Sequence, residues 1–88
     1  MVVGLRQLLR LPVYTESGIK LGRIFDLEVD AETQTVARYF VRPNFLSAKS
    51  FLIAGAQIKE IKNDRVIVYD GDITSSYESR TNTWSINS

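Results

Sequence analysis

The feature that most constrains the fold is an alternating segment, residues 21–30, which follows a glycine-bearing turn at Gly18. Apolar and polar or charged side chains alternate along much of it, as in a strand with one face toward a core. After the polar turn 31–34 the chain returns as a second alternating segment, residues 35–42. Together the two segments predict an antiparallel β-hairpin.

Two patterns agree on one register for this hairpin. The inner face would be formed by three apolar pairs, Val29 with Ala37, Leu27 with Tyr39, and Phe25 with Val41. The same register sets Glu28 opposite Arg38 on the outer face, an attraction of about 0.2–1 kcal/mol. A slip by one residue would lose that pair and turn the apolar face outward. Arg23 is the exception on the apolar face, and Gly22 beside it indicates a bulge, a sharp coil or the close approach of another backbone.

The rest of the chain predicts short strands separated by turns. Leu5, Leu8 and Leu9 share one face of a short helical turn that ends before Pro12. Shorter apolar segments then lie at residues 13–14, 51–53, 57–61 and 65–70. Because short strands must bury their faces and edges, we expect an all-β fold: a small antiparallel barrel of five to six strands with at most one short helical turn near the N-terminus. It would span residues 1–72, and residues 73–88 would form a polar C-terminal tail.

These segments resemble the PRC-barrel family, the small β-barrel of the photosynthetic reaction-centre H subunit and of a bacterial ribosome-maturation factor. The resemblance rests on residues 11–14 (Leu-Pro-Val-Tyr), 18–26 (Gly-Ile-Lys-Leu-Gly-Arg-Ile-Phe-Asp), 36–41, 51–53 and 61–66. It implies a barrel that serves as a docking or assembly module and has no catalytic machinery of its own. The alternative that it implies is an RNA- or ribosome-associated maturation factor.

Composition excludes several kinds of chemistry. The 88 residues include no cysteine and no histidine, which removes thiolate ligands, disulfides and the usual general base near neutral pH. We therefore expect no enzyme, no metal and no cofactor. No stretch reaches the roughly 20 apolar residues of a membrane helix, and no secretory signal pattern is seen, so we expect a cytoplasmic protein.

Charged residues suggest two kinds of site, a cation site and an RNA-binding surface. Asp26, Glu28 and Asp30 share one strand face and could gather a hard cation, but solvated cross-strand pairing explains them better. The basic residues Arg6, Arg10, Lys59, Lys62 and Arg65 could bind RNA. With 11 Lys and Arg against 10 Asp and Glu the charge is balanced, so a nucleic-acid partner is disfavoured.

The candidate interaction residues are apolar. In the predicted register Ile24, Val36 and Phe40 lie on the outer face of the hairpin, where they form a protein interface or are covered by the N-terminal leucines or the tail. Phe45 and Leu46 in a loop and Trp84 in the tail raise the same question. We expect a non-catalytic protein-interaction module that self-associates as a twofold homodimer.

Overall fold

Strands of one mixed sheet form most of the chain that the structure describes. The computed structural model describes residues 1–44, 46 and 49–71, and the backbone of 74–75. In chain order the elements are α1 (Leu5–Leu8), β1 (Pro12–Thr15), β2 (Lys20–Asp30), β3 (Thr35–Arg42), β4 (Phe51–Ala54), a 3₁₀ turn (Gly55–Gln57), β5 (Ile58–Ile61), β6 (Val66–Val68) and β7 (Thr74–Ser75). The predicted helical turn is confirmed as α1. The mainly β architecture is confirmed as well.

The strand order is β5-β6-β1-β2-β3-β4-β7, and one pairing in it is parallel. β1 runs parallel to β6, with Val13 beside Val66 and Thr15 beside Val68. The prediction of purely antiparallel pairing is therefore wrong at this point. The physical reason is that hairpin signals are local, whereas parallel neighbours need a long connection that leaves no local pattern. Among the described residues no pairing joins β5 to β7, so the sheet of seven strands is open at its two ends and the predicted barrel of five to six strands is not seen as a closed one.

The sheet curls around a single core. Its buried side chains are Leu11, Val13, Ile24, Tyr39, Val41, Ile53, Val66 and Val68, with Leu8 and Leu9 packed against them. These residues come from strands far apart in the sheet order, so the sheet must curve to bring them into one cluster. Leu8 at the end of α1 and Leu9 just after it pack against this core, whereas Leu5 is 58% exposed.

The β2–β3 hairpin keeps the predicted register only in its middle. Leu27 pairs with Tyr39 and Glu28 pairs with Arg38, as predicted. A bulge on each side shifts the rest: near one end Phe25 is the extra residue, and Ile24 rather than Phe25 faces Val41. Near the turn Ala37 is the extra residue, so Val29 faces Val36. Each bulge adds one residue to one strand and exchanges the faces beyond it.

These bulges overturn the predicted outer face. Ile24 is 1% exposed and belongs to the core, and Phe40 is 5% exposed. Val36 is half-buried against the core cluster. Conversely Val29, predicted to face the core, is 57% exposed. Ile24 and Phe40 therefore form no exposed apolar patch, because the bulge at Phe25 turns Ile24 inward.

Candidate functional site

A groove of about 490 Å³ lies where the chain before β1 meets the start of β2 and the end of β3. We call it the arginine groove. It is lined by Leu9, Arg10, Arg23, Ile24, Phe25, Arg42, Pro43 and Asn44. Its volume is within the range of about 300–1,000 Å³ found for ligand pockets. Three arginines and an apolar lining therefore share one concave surface.

Gly22 allows β2 to approach the end of β3 at this place. Its φ is +142°, a conformation that residues with a side chain rarely adopt. A Cβ atom there would lie 2.1 Å from the carbonyl oxygen of Arg42 and 2.8 Å from the Cα of Pro43. Of the alternatives that the sequence leaves open at Gly22, the structure shows the close backbone approach, and a bulge at Leu21 lies next to it. Arg23 follows at once and stands directly opposite Arg42 across the two strands.

Protein contacts hold both of these arginine side chains. The Nη1 of Arg23 donates a hydrogen bond of 2.8 Å to the backbone oxygen of Arg10. The guanidinium carbon of Arg42 lies 4.0 Å from the centre of the Phe25 ring, a cation–π contact. The Phe25 ring is itself tilted against Phe40, with 6.3 Å between ring centres. Two guanidinium groups are therefore positioned before any ligand arrives.

The groove arginines have no acidic partner among the described residues. Ion pairs there join Arg38 to Glu28, Lys59 to Glu16 and Arg65 to Asp64, and none involves Arg10, Arg23 or Arg42. Like charges directly opposite each other on neighbouring strands are destabilising. An anion between Arg23 and Arg42 would remove that repulsion.

A family comparison supports the fold and the resemblance seen in the sequence. The model of the PRC-barrel domain family matches residues 1–72. The chain belongs to the PRC-barrel family. A search of curated proteins finds no match to it.

The PRC-barrel family suggests a small interaction or assembly module. Within the residues described for this PRC-barrel domain, no helix is both long and apolar enough to cross a membrane.

The predicted interaction residues do not come together in this PRC-barrel domain. Ile24 lines the groove but is buried, and Val36 and Phe40 are not part of the groove lining. Leu46 is 81% exposed at a turn after β3. Phe45 and Trp84 lie outside the described residues, as does most of the predicted tail. Thr74 and Ser75 of that tail form β7, which pairs with β4.

The acidic residues of the hairpin have local partners. Glu28 pairs with Arg38, which confirms the predicted cross-strand pair. An Oδ1 of Asp26 accepts a hydrogen bond of 2.8 Å from the Leu27 amide. An Oδ1 of Asp30 caps the turn by accepting from the amides of residues 32 and 33. These contacts favour the cross-strand and turn interpretation, and no cluster of three metal-binding side chains is found within the described part of the chain.

Two of the five basic residues that could bind RNA, Lys59 and Arg65, form ion pairs with carboxylates. The Nζ of Lys59 lies 2.9 Å from a carboxylate oxygen of Glu16, and this hydrogen bond raises the pKa of Lys59 above its ordinary value. Arg65 pairs with Asp64 at 3.6 Å, and its guanidinium lies 5.0 Å from the Tyr14 ring centre. Of the five residues considered, only Arg10 lines the groove.

Sequence reasoning missed Arg23, Phe25 and Arg42 as a site. Two signals were nevertheless present, the single charge at Arg23 on an apolar strand face and the glycine just before it. What the sequence lacked was the bulge at Phe25, which decides that Arg23 and Arg42 become direct neighbours.

Proposed function

We propose that this PRC-barrel domain is a non-catalytic protein-interaction module whose contact surface is the arginine groove. Membership of the PRC-barrel family supports the general role, since the family suggests small interaction or assembly modules. The groove supports the location, because three of its lining residues are arginines and none of the three forms an ion pair within the described residues.

One observation carries this proposal. Arg23 and Arg42 face each other across two strands, and no described carboxylate pairs with either. Such an arrangement disfavours folding slightly, since like-charged neighbours on a sheet repel. A partner that supplies negative charge would turn this repulsion into attraction.

The non-catalytic part of the proposal follows from the chemistry of the lining. The charged side chains among the described lining residues are arginines, and a guanidinium group donates hydrogen bonds but has no acceptor atom with which to act as a general base. The sequence offers no histidine or cysteine to take that role. Binding is therefore the activity that this surface supports best.

An RNA-associated role is the weaker alternative. Lys59 and Arg65 are already paired with carboxylates. Phe25 is the aromatic ring of the groove, and Arg42 lies over it, where a stacked base would have to lie. These contacts favour a protein partner over a single-stranded nucleic acid.

Self-association and a cytoplasmic location stay predictions. The burial of Ile24 and Phe40 removes the apolar face that motivated the twofold dimer. Light scattering at micromolar concentration tests the dimer directly, and a mass equal to one chain would contradict it.

The interaction role is tested by quantitative capture from an extract of the source organism. The bait is the full chain, compared with the double variant Arg23→Gln/Arg42→Gln and with Arg38→Gln as the matched control. We expect one or more proteins to be enriched by the wild type and by Arg38→Gln but lost with the double variant. Equal capture by all three baits would contradict the groove as the contact surface.

A further inference from the structure

We infer that the arginine groove binds a carboxylate-bearing segment of a partner protein, in which glutamate or aspartate side chains alternate with large apolar ones. This inference rests on the proposed interaction function and specifies the chemistry of the partner. The acidic side chains would lie between Arg23 and Arg42, and the apolar ones against Leu9 and Phe25.

The charge of the groove selects an anionic partner. Arg10, Arg23 and Arg42 are three basic residues on one concave surface, and no acidic residue is among the described residues that line it. Elsewhere the described ion pairs place a carboxylate beside Arg38, Lys59 and Arg65. The groove thus presents positive charge that the domain does not neutralise with its own described ion pairs.

The geometry of the two central arginines suits a carboxylate. A guanidinium group presents N–H donors in a planar fork that matches the two oxygens of a carboxylate. Arg23 is held by its hydrogen bond to the Arg10 backbone, and Arg42 is held against Phe25. Because both side chains are held in place, less conformational entropy is lost when the anion binds.

The apolar lining of the groove favours a partner segment that carries apolar side chains next to its carboxylates. Leu9 and Phe25 are half-buried and line the groove beside the guanidinium groups. A small inorganic anion or a phosphate backbone would leave these side chains uncovered. A peptide that carries leucine or a similar side chain next to its carboxylates would cover them and gain the free energy of apolar burial.

The test is a titration of the isotope-labelled full chain, followed through its backbone amide signals. The probe is a short acetylated and amidated peptide of alternating glutamate and leucine. Its control is the same peptide with glutamine in place of every glutamate. Inorganic phosphate and an oligouridylate are titrated in separate arms, and all arms are repeated at low and physiological salt.

We expect the glutamate peptide to shift the amides of Arg10, Arg23 and Arg42. The glutamine peptide should bind at least about tenfold more weakly, since charge-assisted hydrogen bonds are lost. The variant Arg23→Gln/Arg42→Gln should lose a similar factor, whereas Arg38→Gln should bind as the wild type does. Amide spectra of each variant establish that it is folded.

Two results would overturn the inference. Equal binding of the glutamate and glutamine peptides would exclude recognition of carboxylates, and so would tighter binding of oligouridylate or phosphate at the same amides. If extract capture still depended on Arg23 and Arg42 in that case, the interaction function would stand and only the partner chemistry would be wrong. Loss of that dependence would instead refute the groove as the contact surface of the proposed interaction function.

Discussion

Six basic side chains of this domain fall into two groups with opposite surroundings. Arg38, Lys59 and Arg65 each lie within ion-pair distance of a carboxylate. The groove arginines have no such partner among the described residues, and two of them stand directly opposite each other. The first group is explained by folding alone. The second disfavours folding, which is why we connect it with binding.

The two groups also differ in what holds their side chains. Glu28 and Glu16 hold Arg38 and Lys59 by charge. In the groove, a backbone oxygen holds Arg23 and an aromatic ring holds Arg42, so both keep their full positive charge available. A charge that is positioned without being neutralised is what an anion-binding surface requires.

The largest expected effect on stability comes from adding a side chain at Gly22, where the backbone of β2 lies against the end of β3. Gly22→Ala would place a Cβ atom against the Arg42 carbonyl at a positive φ, so we expect a loss of at least about 4 kcal/mol in the free energy of unfolding. Gly71→Ala is the control, because no atom of the described residues lies within 4 Å of its Cβ position, and it should change stability by less than about 0.5 kcal/mol. Urea denaturation measures both. Equal midpoints for Gly22→Ala and the wild type would refute the close approach.

A second prediction tests whether Ile24, which lines the groove, also belongs to the hydrophobic core. Ile24→Ala should lower the free energy of unfolding by about 3 kcal/mol, because Ile24 is buried opposite Val41. Val29→Ala, at an exposed position of the same strand, should lower it by less than about 0.5 kcal/mol. If the two variants exchanged these effects, the hairpin would have the register without bulges.

Double-mutant cycles compare the two groups of charges directly. At low salt we expect an unfavourable coupling between Arg23 and Arg42 and a favourable one between Arg38 and Glu28, each on the order of 0.2–1 kcal/mol. Glutamine replaces each residue in both cycles, and unfolding free energies are measured. Couplings of the same sign would show that an unrecognised anion already pairs with the groove.

The smallest expected effect is a pH dependence confined to the paired group. Glu16 raises the pKa of Lys59 in the folded state, so the pair contributes stability below the ordinary lysine pKa and loses it as pH rises through the folded value. The stability difference between the wild type and Lys59→Met should therefore shrink above about pH 10.5. Burial also raises the pKa of Tyr39, and this lowers the stability of both proteins alike over the same range. A difference that stays constant to pH 12 would contradict the ion pair.

The sequence was enough to predict the pairing at the centre of the β2–β3 hairpin but not at its ends. Alternation and the Glu28–Arg38 pair were enough to set the middle of the register, because both depend only on the period of two. The bulges at Phe25 and Ala37 could not be predicted, since a bulge adds a residue without changing the local pattern of apolar and charged residues. The parallel β1–β6 pair was missed for a related reason, because its strands are separated by most of the chain.

The same limit explains the error about the site. A period of two that runs without interruption along both strands predicts an exposed face for Ile24 and Phe40. The bulge at Phe25 is enough to turn Ile24 to the buried face. Arg23 was visible as an anomaly on an apolar face. The position of Arg42 opposite Arg23 follows only from the pairing of the strand ends in the structure.

The most direct test of the central claim is a reversal of charge on both sides of the interaction. The variant Arg23→Glu/Arg42→Glu keeps two like charges in opposition but loses the Arg23 hydrogen bond and the Arg42 contact with Phe25, so its amide spectrum must first show that it is folded. Our account predicts that the variant no longer binds the glutamate–leucine peptide and instead binds a lysine–leucine peptide. The wild type should show the reverse preference. If both proteins bound the same peptide equally well, the arginine groove would not be the binding surface.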